Sequence, residues 1–286
     1  MSWLMEPLAL GFMQRALVAG ILAAVIAALV GTWVVLRGLS FMGDALAHGV
    51  LPGIALGVVL GFDLTVGAAV SALAMVAGIS LVHRFSRLGE DTGIGLLFVG
   101  MLATGVVIIS KSDAYSGSLT GILFGDALGV TTGDVWALAA TAAVSLLATA
   151  VLYRAFLALS FNEQKSEMLG LHPTATHAAM LALVTMAVVA SFRTVGTLLV
   201  FGLLVAPPAT AALIARRVPV MMAVAAGLGA LSVLGGLLVS YHADTAASAT
   251  MSATSVALFF VVLTGRTIVV RFGKPAGTAA TAERRH

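Results

Sequence analysis

Asp44 and His48, in the stretch GDALAHGVLPG (Gly43–Gly53), are two ionisable residues one helical turn apart in an otherwise apolar setting. On a helix, positions four apart share a face, with Cβ atoms about 5–6 Å from each other. A carboxylate oxygen and an imidazole nitrogen so placed can chelate a divalent transition ion. Ionisable groups at bilayer depth cost a few kcal/mol or more and usually line a pathway or bind something. Zinc, for comparison, takes such ligands at about 2.0–2.2 Å and favours four of them. Two ligands per chain are too few for a tight site and suit a conduit, where binding must permit release. A second copy of the chain, or water, would complete the shell. The plainer reading is a polar pair that hydrogen-bonds between helices and fixes their packing.

Other residues carry weaker signals. His242 and Asp244, in SYHADT, form a short polar segment that reads either as a relay for incoming metal or as a solvated loop. His172 and His177 flank Pro173 at a spacing poor for joint chelation, so each reads as a loop histidine; His83 beside Arg84 reads as an interfacial anchor. Pro52, one turn beyond His48, can kink that helix beside the path, and Pro207–Pro208 within an apolar run marks a kink or a discontinuous helix. Each is a candidate hinge. Asp126, in ILFGDAL, is expected to cap a short re-entrant helix.

These residues need elements to hold them, and composition says what kind. The chain has 286 residues, of which 60% are hydrophobic and 9% charged. Soluble domains carry about 25% charged residues. The apolar residues come in runs long enough to span a bilayer, so soluble classes are excluded. No cysteine is present, which leaves His, Asp, Glu and backbone as metal ligands. No P-loop occurs, so energy from ATP must come through another chain.

Spans are expected near Arg15–Leu36, Met42–Leu60, Leu64–His83, Ile94–Ser110, Asp134–Leu157, Ala175–Ala190, Val195–Ile214, Val220–Tyr241 and Met251–Thr264. That is an all-α polytopic bundle of eight or nine helices over residues 1–272, followed by a polar, disordered tail over 273–286. No cleavable signal peptide is evident in Met1–Gln14, where Trp3, Leu4, Leu8 and Phe12 suit an interfacial segment. Arg84, Arg87, Lys165, Arg216, Arg217, Arg266, Arg271 and Lys274 fall on one side if the spans alternate, with Lys111 and Arg193 opposite. The positive-inside rule makes that side, and the C-terminus, cytoplasmic. Nine spans would put the N-terminus outside.

Six segments in order resemble the integral-membrane permeases of the bacterial zinc/manganese/iron ATP-binding-cassette importers. They are FMQRALVAG (Phe12–Gly20), GDALAHGVLPGIALG (Gly43–Gly57), ILFGDAL (Ile122–Leu128), FNEQKSEMLGL (Phe161–Leu171), VGTLLVFGLLVAPPATAAL (Val195–Leu213) and SYHADT (Ser240–Thr245). The resemblance covers nearly the whole chain to about Thr264. It implies a multi-pass subunit of the bacterial cell membrane, itself no enzyme, working as a homodimer. Its implied partners are two cytoplasmic ATPase subunits and an extracytoplasmic metal-binding protein, with no nucleic acid. The metal is cargo, and no permanently bound cofactor is implied.

The family's GD-x-LSH-like motif matches Asp44 and His48. The resemblance also gives the Ser160–Pro173 loop a role, as a short cytoplasmic helix docking in a groove of the ATPase. Asn162, Glu163, Ser166, Glu167, Met168, Leu169 and Gly170 would form it, with Gly170 as its stop. One departure is clear: where the family continues with a Pro-Ser/Thr-Gly-Ala turn, this chain has Ala246–Ala247–Ser248–Ala249.

Rival classes fare worse. An ion-coupled secondary metal transporter would need more buried carboxylates than Asp44, and the second half does not repeat the motif. An intramembrane metalloprotease needs HExxH, which is absent. A siderophore or corrinoid permease would have no use for the Asp44/His48 chelate.

Overall fold

Apolar runs of this length satisfy their backbone in lipid only as helices or closed barrels. The computed structural model describes residues 9–86, 90–110, 129–161 and 171–272, and among these there are helices and no strands. In order they are α1 (Gly11–Leu36), α2 (Ser40–Gly49), α3 (Leu51–Leu60), α4 (Leu64–Phe85) and α5 (Glu90–Ile109). Then come α6 (Thr132–Phe161), α7 (Pro173–Ile214), α8 (Val218–Ala243) and α9 (Ala247–Phe272). The loops 111–128 and 162–170, the N-terminal residues 1–8 and the tail 273–286 lie outside the described residues. Asp126 and the proposed docking helix are therefore not placed.

Nine stretches among the described residues are long and apolar enough to cross a membrane. α2 and α3 together form one of them, Phe41–Leu60, and α7 contains two, Pro173–Phe192 and Thr194–Ile214. Among the described residues the candidate spans therefore number nine, the larger of the two expected counts.

α7 explains why the count was ambiguous. A straight helix of its 42 residues would be about 63 Å long, twice the hydrocarbon thickness of about 30 Å. Gly196, at φ 78° and ψ 158°, divides it. That conformation belongs essentially to glycine alone. Ala187 and Ser191 before the break line the same small cavity as Val200, Leu203 and Leu204 after it, together with Ala23, Ile26 and Ala27 of α1. Along a straight helix Ala187 and Leu204 would be about 25 Å apart, so the two arms fold back on each other beside α1.

Pro207 and Pro208, candidates for a break, lie inside the second arm, while the non-helical residue of this element is Gly196. A proline supplies no amide to the carbonyl four residues earlier, which for Pro208 is that of Leu204. This carbonyl packs against Gly31 of α1, where a side-chain methyl would overlap it. Its neighbour is therefore protein and not lipid.

α1 is the bundle's centre. Its most apolar window is 72% buried, against 17% for α6 and for α9. The outer helices present Trp136, Leu147, Val151, Phe260, Val261 and Val269 outward. In water such a surface would aggregate, whereas lipid is its natural solvent. Short turns join the spans. Gly38, at φ 72°, closes α1 with its N–H on the Val35 carbonyl, and Leu39 N–H returns to Val34. That closure, three residues long, sets α2 immediately against the core. At other ends Asp63 caps α4 through the Thr65 and Val66 amides, and Thr131 and Asp134 cap α6 reciprocally.

Candidate metal site on α2

Three faces of α2 are committed to packing. Met42, Ala45, Leu46 and Ala47 have no exposed surface. Gly43 lies against Leu204 and Phe201 of α7, and Gly49 against Met75 of α4. The remaining stripe, at i, i+3 and i+7, is Phe41, Asp44 and His48. Asp44 and His48 keep 24% and 21% of their side-chain surface. The structure thus brings the predicted pair together on the one open face of an otherwise buried helix.

His48 Nε2 is 3.4 Å from Asp44 Oδ1. Both atoms lie on the same partly open stripe of α2. The other ring nitrogen, Nδ1, is buried with no hydrogen-bond partner among the described residues. The imidazole instead meets Phe98 of α5 edge-on, at 5.6 Å between ring centres and 68° between planes. Among the described residues no group of three or more His, Asp or Glu side chains gathers. The described residues therefore offer this pair and no complete coordination shell.

The span divides just beyond the pair. Pro52 stands in the first turn of α3 and has no amide for the His48 carbonyl, to which the Val50 N–H turns instead. Ser71 of α4 donates to the Gly49 carbonyl at 2.7 Å. The joint is thus hydrogen-bonded and packed against α4.

His242 and Asp244 sit at the end of α8. His242 Nδ1 is 2.8 Å from the Leu238 carbonyl; since a carbonyl only accepts, Nδ1 carries the proton. Asp244 closes the helix in the left-handed region at φ 50°, with its N–H on Ser240. It borders a recess of ≈ 540 Å³ lined by Phe12, Met13, Ser240, Tyr241 and Thr245 among others. The Ala246–Ala249 departure is accommodated because the turn is made here, before it: α9 starts at Ala247, and Ser240 Oγ donates to the Thr245 carbonyl.

His172 and His177 are not loop histidines of one kind. His172 precedes α7 as its N-cap residue. His177 lies within α7, and its Nδ1 accepts from Arg37 Nη1 at 2.7 Å. Sequence reading missed this link because the two residues are 140 positions apart. It missed Phe98 too, since an apolar residue in an apolar span carries no local signal. Asn162, Glu163, Ser166, Glu167, Met168, Leu169 and Gly170 lie outside the described residues.

Comparison with known proteins agrees with this architecture. Residues 9–266 match the ABC 3 transport family. The chain is 35% identical over 251 residues to the "Manganese transport system membrane protein MntC" of Listeria innocua, covering 88% of this chain and 89% of that one. It is 35% identical over 270 residues to the "Probable iron transport system membrane protein" of Haemophilus influenzae, covering 94% and 99%. Its structure superposes on a chain of "PsaBC from Streptococcus pneumoniae in complex with Fab" with a TM-score of 0.81 and 32% identity, covering 91% and 94%. The resemblance drawn from the six sequence segments therefore holds: the chain belongs to the ABC 3 transport family and is a multi-pass membrane permease of that class.

Proposed function

We propose that this permease carries a divalent transition-metal ion, of the manganese, iron or zinc class, inward across the bacterial cell membrane. Asp44 and His48 are its first protein ligands on the path. The observation that carries this reading is the geometry of that pair: carboxylate and imidazole 3.4 Å apart on the open stripe of a helix buried on its other faces. The relatives named for manganese and iron transport support the choice of cargo.

Two ligands cannot hold a desolvated cation alone. In this reading the chain works as a homodimer whose two Asp44/His48 pairs share the ion, with water filling the remaining positions. All three metals accept oxygen and imidazole ligands, and ligand type alone does not separate them. Energy enters through two ATPase subunits docked on residues 160–171, and an extracytoplasmic binding protein delivers the metal near the outer end of α8. In this reading His242 and Asp244 stand beside that entry as part of the turn that closes α8, and the ion does not need them as ligands. Pro52, beside the metal pair, and Pro207–Pro208, beside α1, flex as the bundle alternates its access.

The test is uptake of radioactive manganese by cells lacking other manganese importers. Asp44→Asn keeps side-chain volume and removes only the charge, and it should reduce uptake about a hundredfold, the upper end of the cost of losing a hydrogen-bonded support of a metal ligand. Wild-type uptake by this variant, present at wild-type level in the membrane, would reject the site.

A further inference from the structure

A metal-binding histidine is nearly always aimed by a hydrogen bond from its second ring nitrogen to a carboxylate, a backbone carbonyl or water. Among the described residues His48 has no such protein acceptor: Nδ1 is buried without a hydrogen-bond partner there, although Nε2 faces Asp44. The ring is held by neighbours of another kind. Phe98 meets it edge-on, and Phe41, on the same stripe of α2 as Asp44 and His48, meets Phe98 at 5.4 Å and 74°. Phe41, Phe98 and His48 thus form a continuous stack that starts on α2, crosses to α5 and returns to α2.

We propose that Phe98 is a positioning residue for the metal ligand, so that the packing of α5 on α2–α3 sets the affinity of the Asp44/His48 pair. The inference rests on the reading of that pair as metal ligands. Its physical content is threefold. First, edge-to-face ring contacts favour one relative orientation, so Phe98 selects the imidazole rotamer that aims Nε2 at Asp44. Second, a ring held by packing receives no added basicity from an acceptor on Nδ1, which keeps the ligand weak enough to release its ion. Third, the clamp lies on a different helix from the ligand. α5 approaches the span closely further along, where a Cβ at Gly105 would come within 3.0–3.1 Å of Leu51 and Pro52. A sliding of α5 against α2–α3 would therefore move Phe98 relative to His48 and release the imidazole. Metal affinity becomes a function of helix packing, which alternating access requires and a fixed hydrogen bond would not provide.

The experiment uses the full-length chain in lipid nanodiscs, titrated with Co²⁺ alone and followed by the visible d–d absorption that reports imidazole coordination. Phe98→Leu keeps an apolar side chain and removes the ring. It should weaken Co²⁺ binding about three- to tenfold, the size of a lost aromatic contact, and alter the band shape. Phe98→Tyr, which restores a ring, should recover most of the affinity. Phe260→Leu, which breaks the Phe259–Phe260 ring pair on α9, should leave binding unchanged. Wild-type binding by Phe98→Leu, or equal losses in Phe98→Leu and Phe98→Tyr, would overturn the proposal. Should Phe98→Leu not yield folded protein, Phe41→Leu is read in its place: weaker binding supports the clamp and wild-type binding overturns it. Asp44→Ala and His48→Ala separate the two readings. If both bind Co²⁺ as wild type does, the metal site itself is rejected; if they lose binding and Phe98→Leu does not, only the clamp falls.

Discussion

The chain has two histidine–aspartate pairs, and they are oriented by different means. At the end of α8, His242 donates Nδ1–H to the Leu238 carbonyl of its own helix, and Asp244 is taken up in the turn that closes that helix. The pair is spaced i,i+2, and such residues do not face each other on a helix. At α2 the spacing is i,i+4, both donors share a face, and the imidazole is held by a phenylalanine from another helix. A histidine aimed by its own backbone keeps its orientation however the neighbouring helices move. One aimed across a helix interface does not. The same two residue types are therefore tied to their own helix in one place and to a neighbouring helix in the other.

The sharpest way to break this comparison is to remove each histidine in turn. His48→Ala should lower manganese uptake about a hundredfold or more, since losing only a hydrogen-bonded support of a metal ligand already costs about 10–100-fold, while His242→Ala should cost less than about tenfold. Equal losses would mean that both pairs are required ligands. A subtler perturbation leaves the site chemistry alone. Gly105→Val would wedge α5 away from Leu51 and Pro52; overpacking of this kind costs about 1–3 kcal/mol. Uptake should fall several-fold with Asp44 and His48 intact, and thermal unfolding should report the packing cost separately. Unchanged uptake would argue that the pair ignores the position of α5.

Gly196→Ala tests the fold-back that brings both arms of α7 against α1. A side chain at φ 78° should cost about 1–3 kcal/mol, seen as a lowered melting temperature. An unchanged melting temperature would mean that the break does not need glycine. The smallest effect is expected at Asp244→Gly. A residue without Cβ relieves the left-handed conformation, so stability should rise by up to about 1 kcal/mol, with uptake nearly constant. A large loss of uptake would give the Asp244 carboxylate a role beyond the turn.

Much of this molecule is legible without coordinates. The apolar runs placed the spans to within a few residues, because in lipid a stretch of this length has no alternative to a helix. The ambiguous connection at Ser191–Thr194 became a fold-back at Gly196, a few residues further on. The i,i+4 spacing of Asp44 and His48 was enough to put both on one face, because helical periodicity is a local property. The six ordered segments were enough to name the family. In each case the signal lies within a few residues of chain or repeats in sequence order.

What only the tertiary structure decided involves pairs that are distant in sequence. Phe98 against His48, Arg37 against His177 and the Leu204 carbonyl against Gly31 all join different helices. In a soluble protein an apolar stripe would say which face of a helix turns inward. These helices are apolar all round, lipid is as apolar as the core, and packing is chosen by shape and by a few polar atoms. The sequence by itself therefore determined that this is a multi-pass permease with Asp44 and His48 on one face of a helix. Which helices the apolar faces of α2 met, and which ring came to rest on His48, was decided by helix packing, because nothing in the local pattern distinguishes one apolar face from another.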